Sequence, residues 1–551
     1  MRGTALALIL STWPLLSGAE MAPQLGAASN FGQGWQPRML HAAGQLPVTD
    51  FRDAVYWNRI ETPRGRYTYA DPRDTYPDLL ADRGYGMSLT VNNGHPAYDA
   101  GHTPFSPEAV AGFARFAAEA VRRFPAIHSV EVGNEMNSAG FVSGPGWETP
   151  LTERAVAYTA LLKATAEAVR AERPGTRILG AAAHSIPLHW FDALSAAGAA
   201  PYMDALVIHP YGEEPEQVRR QIALLRTRPD WAEMPIEVTE IGHTDPAKAP
   251  ALLMKTYCQM ALAGGSRVIW YPLNPRGDGL VPLLRRSGAL TGVGEAYRFI
   301  SAHLSGQPVV EAAPDPFTYG CRFGAHHLML WGAARDLTVA LGTQVYDTQG
   351  RPLEGTTFRL SRAAPLIVIA PDQPVAEAIE LAPQQVIADS VDQFTYPGQP
   401  GFDPFQRYVD HQGQLSPLGL RPGQQKSGVP WVPYLGSSLD GILRAGANWV
   451  LPSRPASGPL PVVYKYTASE AGRVDITVDI APAARSEDGV RLRILLNDTT
   501  LTDLAVTEPE YLRLEGVALQ PEDALLFQVG PRATARGDIT GLRVTLSRAA
   551  P

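Results

Sequence analysis

The sequence has no long apolar run after its first residues and no cluster of basic residues. Beyond residue 19, no stretch is long and apolar enough to cross a bilayer as a helix. The net charge is -8 and lysines and arginines are scattered, so nucleic acids and anionic membranes are not expected partners. Hydrophobic residues make up 45% and charged residues 19%, which argues against a disordered chain. We expect a folded protein that binds a neutral or mildly polar ligand.

Several signatures of common enzyme classes are also missing. No HExxH motif occurs, and His184, His189 and His243 do not have the spacing of metal ligands. Gly-x-Ser-x-Gly is absent, which argues against a serine hydrolase. No glycine-rich dinucleotide loop follows the first predicted strand. We therefore predict no catalytic metal and no cofactor.

Cysteine is scarce, with only Cys258 and Cys321 in the chain. The two residues could form one disulfide, but we expect two buried free thiols. Stability must then come from packed cores.

Residues 1–19 combine one arginine, a short apolar stretch and a small trio of Ser17, Gly18 and Ala19. This pattern predicts a cleavable signal peptide and a secreted or periplasmic protein. The alternative is an uncleaved anchor, for which the apolar run is short.

A chain of 551 residues is too long for one ordinary core, so several domains are expected. Between residues 20 and 305, short β-branched runs alternate with amphipathic segments typical of helices. The predicted strands are 25–32, 53–58, 86–91, 128–133, 176–182, 203–209, 235–240 and 266–271. Eight strand–helix pairs predict an α/β fold, specifically a (β/α)8 TIM barrel. An open doubly wound sheet is the alternative.

Beyond residue 305 the helical pattern disappears. Alternating apolar and polar residues with turn signals predict a small accessory β-sandwich over 306–372. Residues 373–385 look like a linker, and 386–551 predict a C-terminal β jelly roll. Trp431, Tyr434 and Trp449 of this last region either stack on sugars or pack inside the sheets.

Two carboxylates follow the predicted barrel strands at the points where chemistry is expected. Glu135 comes at the end of the fourth strand, in "VEVGNEM", and Glu240 ends the seventh, in "PIEVTE". The C-terminal ends of the strands of a parallel barrel converge on one mouth, so the two side chains can face each other. Cleavage of a glycosidic bond needs such a pair, one as acid and base and one as nucleophile. Asn134 offers an uncharged amide that could hold a sugar hydroxyl.

These motifs support a family resemblance. "VGNEMN" and "IEVTEIG" resemble the acid/base and nucleophile motifs of clan A glycoside hydrolases. "DFRDAVYWNRIETPRGRYTY", at 50–69, resembles the second strand and following turn of glycoside hydrolase family 39 and its exopolysaccharide-degrading relatives. The resemblance covers residues 27–371 and implies a retaining glycosidase.

The resemblance also implies roles for four further residues. Arg52 matches the clan's second-strand arginine, which helps keep the nucleophile ionised. His209 and Tyr211 end the sixth strand, where an aromatic hydroxyl commonly lies near the nucleophile. Trp270, on the eighth strand, matches the tryptophan that forms the floor of a sugar subsite.

Each assignment has a simpler alternative. Arg52 could merely neutralise a buried acid, and His209, Tyr211 and Trp270 could be ordinary packing residues. Glu237 competes with Glu240 for the nucleophile, but alternation along a strand turns them to opposite sides. Glu131 competes with Glu135, although it would lie deeper in the barrel.

We expect a retaining glycosidase acting on a polysaccharide or oligosaccharide, such as a bacterial exopolysaccharide or a plant β-xylan-type glycan. An exo-acting β-xylosidase or β-glucosidase is one alternative. A non-catalytic glycan-binding protein on the same scaffold is the other.

Overall fold

The computed structural model describes residues 20–92 and 94–549. The predicted signal peptide, 1–19, lies outside these residues. Within the described ranges, none of the helices has the length and apolar character needed to span a membrane.

The first large unit is a closed barrel of eight parallel strands, as the alternation of strand and helix patterns predicted. The strands are β1 (Gln24–Ala28), β2 (Asp50–Asp53), β3 (Gly86–Val91), β4 (Ile127–Val132), β5 (Arg177–His184), β6 (Ala205–His209), β7 (Ile236–Ile241) and β8 (Gly265–Trp270). The barrel closes where β1 pairs in parallel with β8, from Gln24 opposite Arg267 to Ala27 opposite Trp270. All eight C-terminal strand ends therefore open on one mouth.

Eight longer helices follow the strands. They are α1 (Pro37–Ala43), α2 (Pro72–Ala81), α3 (Pro107–Arg123), α4 (Leu151–Glu172), α5 (Leu188–Ala196), α6 (Pro215–Leu225), α7 (Ala249–Leu262) and α8 (Gly292–His303). Helix α3 shows the local causes clearly. The Ser106 hydroxyl caps it by accepting a hydrogen bond from the Ala109 amide, and Arg122 and Arg123 occupy its last turn.

The second strand lies earlier than the sequence indicated. We predicted residues 53–58, but β2 ends at Asp53, and Trp57–Ile60 form a short helix. Trp57 is buried, and its indole donates a hydrogen bond to the buried Glu61 carboxylate. The aromatic run therefore signalled burial beside the barrel rather than strand pairing.

After the barrel, all strand pairs among the described residues are antiparallel, which confirms the predicted β character of this part of the chain. The accessory region contains a seven-stranded and a three-stranded sheet. In order across the first sheet the strands are Glu20–Met21, Pro308–Glu311, Thr318–Phe323, His327–Gly332, Leu366–Ile369, Gln344–Tyr346 and Pro352–Leu353. The second sheet contains Thr357–Arg359, Asp336–Val339 and Ile379–Leu381.

The C-terminal region contributes two further sheets. One contains Gly419–Arg421, Tyr434–Gly436, Arg444–Ala445, Trp449–Leu451, Thr540–Arg548, Gly472–Pro482 and Glu510–Leu519, with Val386–Asp389 pairing with Thr540–Arg548 off this path. The other contains Gln414–Pro417, Phe405–His411, Val462–Thr467, Ala524–Pro531, Val490–Leu496 and Thr499–Val506.

Two further expectations differ from the structure. Residues 373–385, expected to be a linker, contain the strand Ile379–Leu381, which pairs with Asp336–Val339. Cys258 and Cys321, expected to be free thiols, form a disulfide with a Cα–Cα distance of 5.7 Å. Helix α7 packs against the strand Thr318–Phe323, so residues 63 positions apart in sequence become neighbours.

Candidate active site

Glu240 and Arg52 form the centre of the barrel mouth. Glu240 is the penultimate residue of β7, and its side chain is 13% exposed. Arg52, on β2, donates from Nη1 to Glu240 Oε1. The same guanidinium donates to both oxygens of Glu131, at 2.8 and 2.6 Å. Arg52 therefore fixes the nucleophile candidate against a second, deeper carboxylate.

Glu135 lies on a turn beyond β4 rather than on the strand itself, which ends at Val132. Gly133 has φ +88°, and an added Cβ there would lie 2.6 Å from Met136 Sδ. Glu135 itself has φ +44°, a conformation that L-residues rarely adopt and that concentrates at functional sites. The tight turn places a largely buried carboxyl at the mouth.

A bulge in β5 supports this turn. Ala181 and Ala182 both have positive φ, and the pairing register between β5 and β6 shifts between Gly180 and Ala183. The bulge lets the Ala182 carbonyl accept a hydrogen bond of 2.8 Å from the Met136 amide. β-Bulges of this kind commonly re-aim chain segments beside active sites.

His209 and Tyr211 each contact one of the two carboxylates. His209 Nδ1 lies 3.1 Å from Glu135 Oε1, and its Nε2 lies 3.0 Å from the Thr239 hydroxyl. The Tyr211 hydroxyl donates to Glu240 Oε2 at 2.9 Å. His209 is fully buried, so its ring acts within the protein rather than as a free surface group.

The two carboxylates lie close enough to act on one bond. A carboxylate oxygen of Glu135, a ring nitrogen of His209 and a carboxylate oxygen of Glu240 all lie within 4.8 Å of one another. Carboxyl groups of retaining glycosidases are about 5–5.5 Å apart, and those of inverting enzymes about 6.5–9.5 Å. A cluster this tight could also hold a cation. However, Arg52 donates a hydrogen bond to one oxygen of Glu240 and Tyr211 donates one to the other, which favours acid–base chemistry.

Opposing effects determine the pKa of Glu240. Burial alone would raise it, but the charges of Arg52 and His209 and the hydrogen bonds from Tyr211 and Arg52 outweigh burial. The pKa of Glu240 is therefore lower than that of an ordinary glutamate, as a nucleophile that must stay ionised requires. Burial and the Glu240 charge raise the pKa of Tyr211 well above its usual value, so Tyr211 is a hydrogen-bond donor.

The two competing glutamates are buried more deeply than Glu240. Glu237 is fully buried and pairs with Arg267 at 2.7 Å and with Arg177 at 2.6 Å. Arg177 is the first residue of β5, so this cluster lies toward the N-terminal end of the barrel. Glu131 is also fully buried and is held by Arg52.

The remaining predicted residues occupy different environments. Asn134 lies beside Glu135, and its Oδ1 accepts a hydrogen bond of 2.8 Å from Arg52. Trp270 is the last residue of β8, but it is fully buried and its indole donates to the Val281 carbonyl. The partly exposed aromatic ring at this strand end belongs to the next residue, Tyr271.

Four residues at the mouth were not assigned to the catalytic site from the sequence, although Trp431 was a candidate for stacking on a sugar. The side-chain amide of Asn137 forms two hydrogen bonds with the main chain of His184. Gln424 and Trp431, from the C-terminal region, contact Asn137 and His184 respectively. An aromatic residue within a Gly/Pro-rich stretch was the only signal for Trp431, and no sequence signal marked Gln424.

No family model matches the chain, and no curated protein matches it. Among solved structures, it is similar to a family 39 glycoside hydrolase from the gut symbiont Bacteroides cellulosilyticus WH2. The TM-score is 0.54, with 18% identity over 63% of this chain and 81% of that chain. A family 39 enzyme from Xanthomonas axonopodis pv. citri matches over 94% of this chain and 96% of that chain, at 14% identity and a TM-score of 0.44. The resemblance to clan A glycoside hydrolases is thus confirmed at the level of the fold, an eight-stranded parallel barrel.

Proposed function

We propose that this protein is a retaining glycoside hydrolase that cleaves a polysaccharide or oligosaccharide by double displacement. The observation that carries the proposal is the close approach of Glu135 and Glu240, within 4.8 Å at the barrel mouth. At that spacing no water molecule fits between the anomeric carbon and the second carboxylate, so direct attack by the carboxylate is favoured.

In the first step Glu240 attacks the anomeric carbon while Glu135 gives its proton to the leaving oxygen. The bond from carbon to the leaving oxygen breaks, and a bond from carbon to a Glu240 oxygen forms. Glu135 is left as a carboxylate.

In the second step water replaces Glu240 on the anomeric carbon. Glu135 now takes a proton from the water, the ester bond to Glu240 breaks, and the product keeps the original configuration. Both groups return to their starting protonation states.

The surrounding residues support these two roles. Arg52 and Tyr211 keep Glu240 ionised and oriented, and His209 orients Glu135. We assign Asn134 to a sugar hydroxyl, with its carbonyl oxygen already held by Arg52 so that its amide nitrogen is presented. For Trp270 we propose a supporting role beneath the sugar site, because the ring itself is covered.

The natural substrate is proposed to be a bacterial exopolysaccharide or a plant β-xylan-type glycan. We also propose that the protein is secreted or periplasmic, which the Cys258–Cys321 disulfide supports because disulfides persist in oxidising compartments. The two C-terminal sheets are proposed to form a jelly roll that shapes the cleft.

The decisive test begins with a panel of polysaccharides and aryl glycosides, scored for release of reducing ends and phenol. On the best substrate, Glu240→Ala should lower kcat by several orders of magnitude, because the covalent intermediate can no longer form. Added azide should restore turnover and give a glycosyl azide of inverted configuration. Glu237→Ala is the matched control, since its carboxylate lies on the same strand but away from the mouth.

Three results would contradict the assignment. Near-normal turnover by Glu240→Ala would remove the nucleophile, and azide rescue of Glu237→Ala instead would transfer that role. A wild-type protein that binds sugars but releases no product, with Glu135→Gln binding equally well, would identify a non-catalytic glycan-binding protein. Release of single sugars from chain ends only would favour the exo-acting β-xylosidase or β-glucosidase.

A further inference from the structure

A loop of the C-terminal region, residues 422–433, reaches the barrel at the C-terminal ends of β4 and β5. We call it the mouth loop. The Pro422 carbonyl accepts a hydrogen bond of 2.8 Å from the Leu188 amide at the start of α5. Gln424 Nε2 donates to the Asn137 carbonyl at 2.7 Å, and Asn137 Nδ2 donates to Gln424 Oε1 at 2.8 Å. Gln424 therefore forms two hydrogen bonds with Asn137.

Asn137 links the mouth loop to the turn that carries Glu135. It follows Glu135 by two residues and is fully buried. Its Oδ1 accepts from the His184 amide at 2.9 Å, while its Nδ2 also donates to the His184 carbonyl at 3.1 Å. One amide side chain therefore joins the Glu135 turn, the end of β5 and the mouth loop.

The mouth loop is held in one shape by its own contacts. Gly423 has φ +80°, and an added Cβ would lie 2.4 Å from the Val432 carbonyl oxygen, so only glycine fits there. The main-chain amide of Gln424 donates a hydrogen bond of 2.7 Å to the Pro430 carbonyl. The two arms of the loop are consequently fixed against each other, and Val429 and Val432 are buried.

Trp431 extends this contact into a row of rings. Its ring meets that of His184 edge-on, with centroids 5.3 Å apart. The His184 ring is in turn 6.4 Å from that of Tyr211, whose hydroxyl binds Glu240. Trp431 is only half-buried.

We propose that the mouth loop forms the leaving-group side of the substrate cleft, with Trp431 contacting the departing sugar. Glu135 gives its proton to the leaving oxygen, so the departing sugar lies on the side of the Glu135 turn, where the loop binds. Gln424 is a positioning residue that acts on Glu135 through Asn137. This inference rests on the proposed glycosidase function and makes the C-terminal region part of the catalytic cleft.

The test compares two substrates that share one glycosyl group, both derived from the best substrate of the panel. One is an oligosaccharide, whose leaving group is a sugar. The other is the corresponding glycosyl fluoride, whose leaving group has no sugar and needs little protonation. Trp431→Ala should lower kcat/KM for the oligosaccharide on the order of tenfold. For the fluoride, kcat/KM should stay within about twofold of the wild-type value, since no contact with a departing sugar is lost.

Gln424→Ala should act on protonation instead. It should lower kcat/KM for the oligosaccharide, whose leaving group needs the proton from Glu135, much more than kcat/KM for the fluoride, whose leaving group needs little protonation. Gln424→Glu keeps one of the two hydrogen-bond contacts and should lie between the wild type and Gln424→Ala.

Trp449→Ala is the matched control, because Trp449 is a half-buried tryptophan of the same region on the strand Trp449–Leu451. If Trp431→Ala does not fold, Trp431→Leu keeps apolar packing without the ring and should show the same selective loss. An equal fall on both substrates, or no fall, would overturn the role of Trp431. Failure of the wild type on both substrates would instead overturn the proposed function.

Discussion

Arg52 is the residue on which the arrangement of the site most depends. Its guanidinium contacts Glu131, Asn134 and Glu240, and its side chain is only 7% exposed. Without it, two largely buried carboxylates would lie near each other with no cation between them. Such a loss is costly because an uncompensated buried charge cannot be solvated.

Replacing Arg52 should therefore change the pH dependence of catalysis. In Arg52→Met the burial that raises the pKa of Glu240 remains, while the charge and hydrogen bond that lower it are removed. The pKa of Glu240 should rise, so the acidic limb of kcat/KM should move to higher pH by about one unit or more. A pH profile with an aryl glycoside measures this shift.

Arg177→Met provides the control, because Arg177 also pairs with a buried carboxylate, Glu237, but away from the mouth. It should lower stability and leave the acidic limb in place. An unchanged acidic limb in Arg52→Met would show that Arg52 does not maintain the ionisation of Glu240.

Single residues also show how far sequence patterns reach. Glu135 and Glu240 could be expected to meet because strand ends of a parallel barrel converge. The burial of Trp270 could not be predicted. Successive residues of a strand point to opposite sides, so one position at the strand end decides whether Trp270 or its neighbour Tyr271 is covered. The contact of Asn137 with Gln424 spans 287 positions, and no local periodicity encodes it.

At the scale of elements, the disulfide joins helix α7 of the barrel to the strand Thr318–Phe323 of the accessory region. Both cysteines are fully buried. The bond closes a loop of 63 positions, which is expected to restrict the unfolded chain.

The double variant Cys258→Ala/Cys321→Ala should therefore lower the free energy of unfolding by about 4 kcal/mol on the chain-entropy account. Denaturant unfolding of oxidised wild type and double variant measures the difference. Turnover at 25 °C should not change, since neither cysteine is at the mouth. Treatment with a reductant under partly unfolding conditions should affect the wild type only, and equal unfolding midpoints for both proteins would contradict the prediction.

Elements with strong periodicity were predicted well. Residues 107–123 lie in one of the amphipathic segments that indicated helices, and a serine cap, a proline in the first turn and a regular apolar stripe all favour the helix observed there. Strand β2 was displaced because aromatic and β-branched residues mark burial as well as strands. The bulge in β5 was not predicted, since the run of three alanines from Ala181 carries no turn signal.

At the scale of the whole molecule, a buried charge cluster joins the barrel and the two β regions. Arg362 of the accessory region pairs with Asp392 at 2.6 Å and with Asp389 at 3.0 Å. Arg220, on α6 of the barrel, donates to the carbonyl oxygens of Val391 and Asp392. The three regions thus meet at one short segment, 389–392.

Arg362→Met should destabilise the whole chain, because Asp389 and Asp392 are almost fully buried and would lose a shared cation. The free energy of unfolding should fall by an amount on the order of 3 kcal/mol, which thermal or denaturant unfolding measures. Arg359→Met is the control, since that arginine is exposed and pairs with an exposed aspartate, so its effect should stay within about 0.5 kcal/mol. Equal effects of the two substitutions would show that the cluster does not hold the regions together.

The order of α/β and all-β regions along the chain could be predicted because it follows from the change of hydrophobic period alone. How the regions dock could not, since docking depends on scattered polar residues such as Arg220, Arg362 and Gln424.

The pairing of Glu20 and Met21 with Val309 and Pro308 has a practical consequence. This edge precedes β1, so it lies toward the end of the barrel that faces away from the catalytic cleft. A solid support coupled ahead of Glu20 would leave the mouth pointing outward, accessible to the proposed glycan substrate. Coupling through surface groups near the mouth loop would obstruct it.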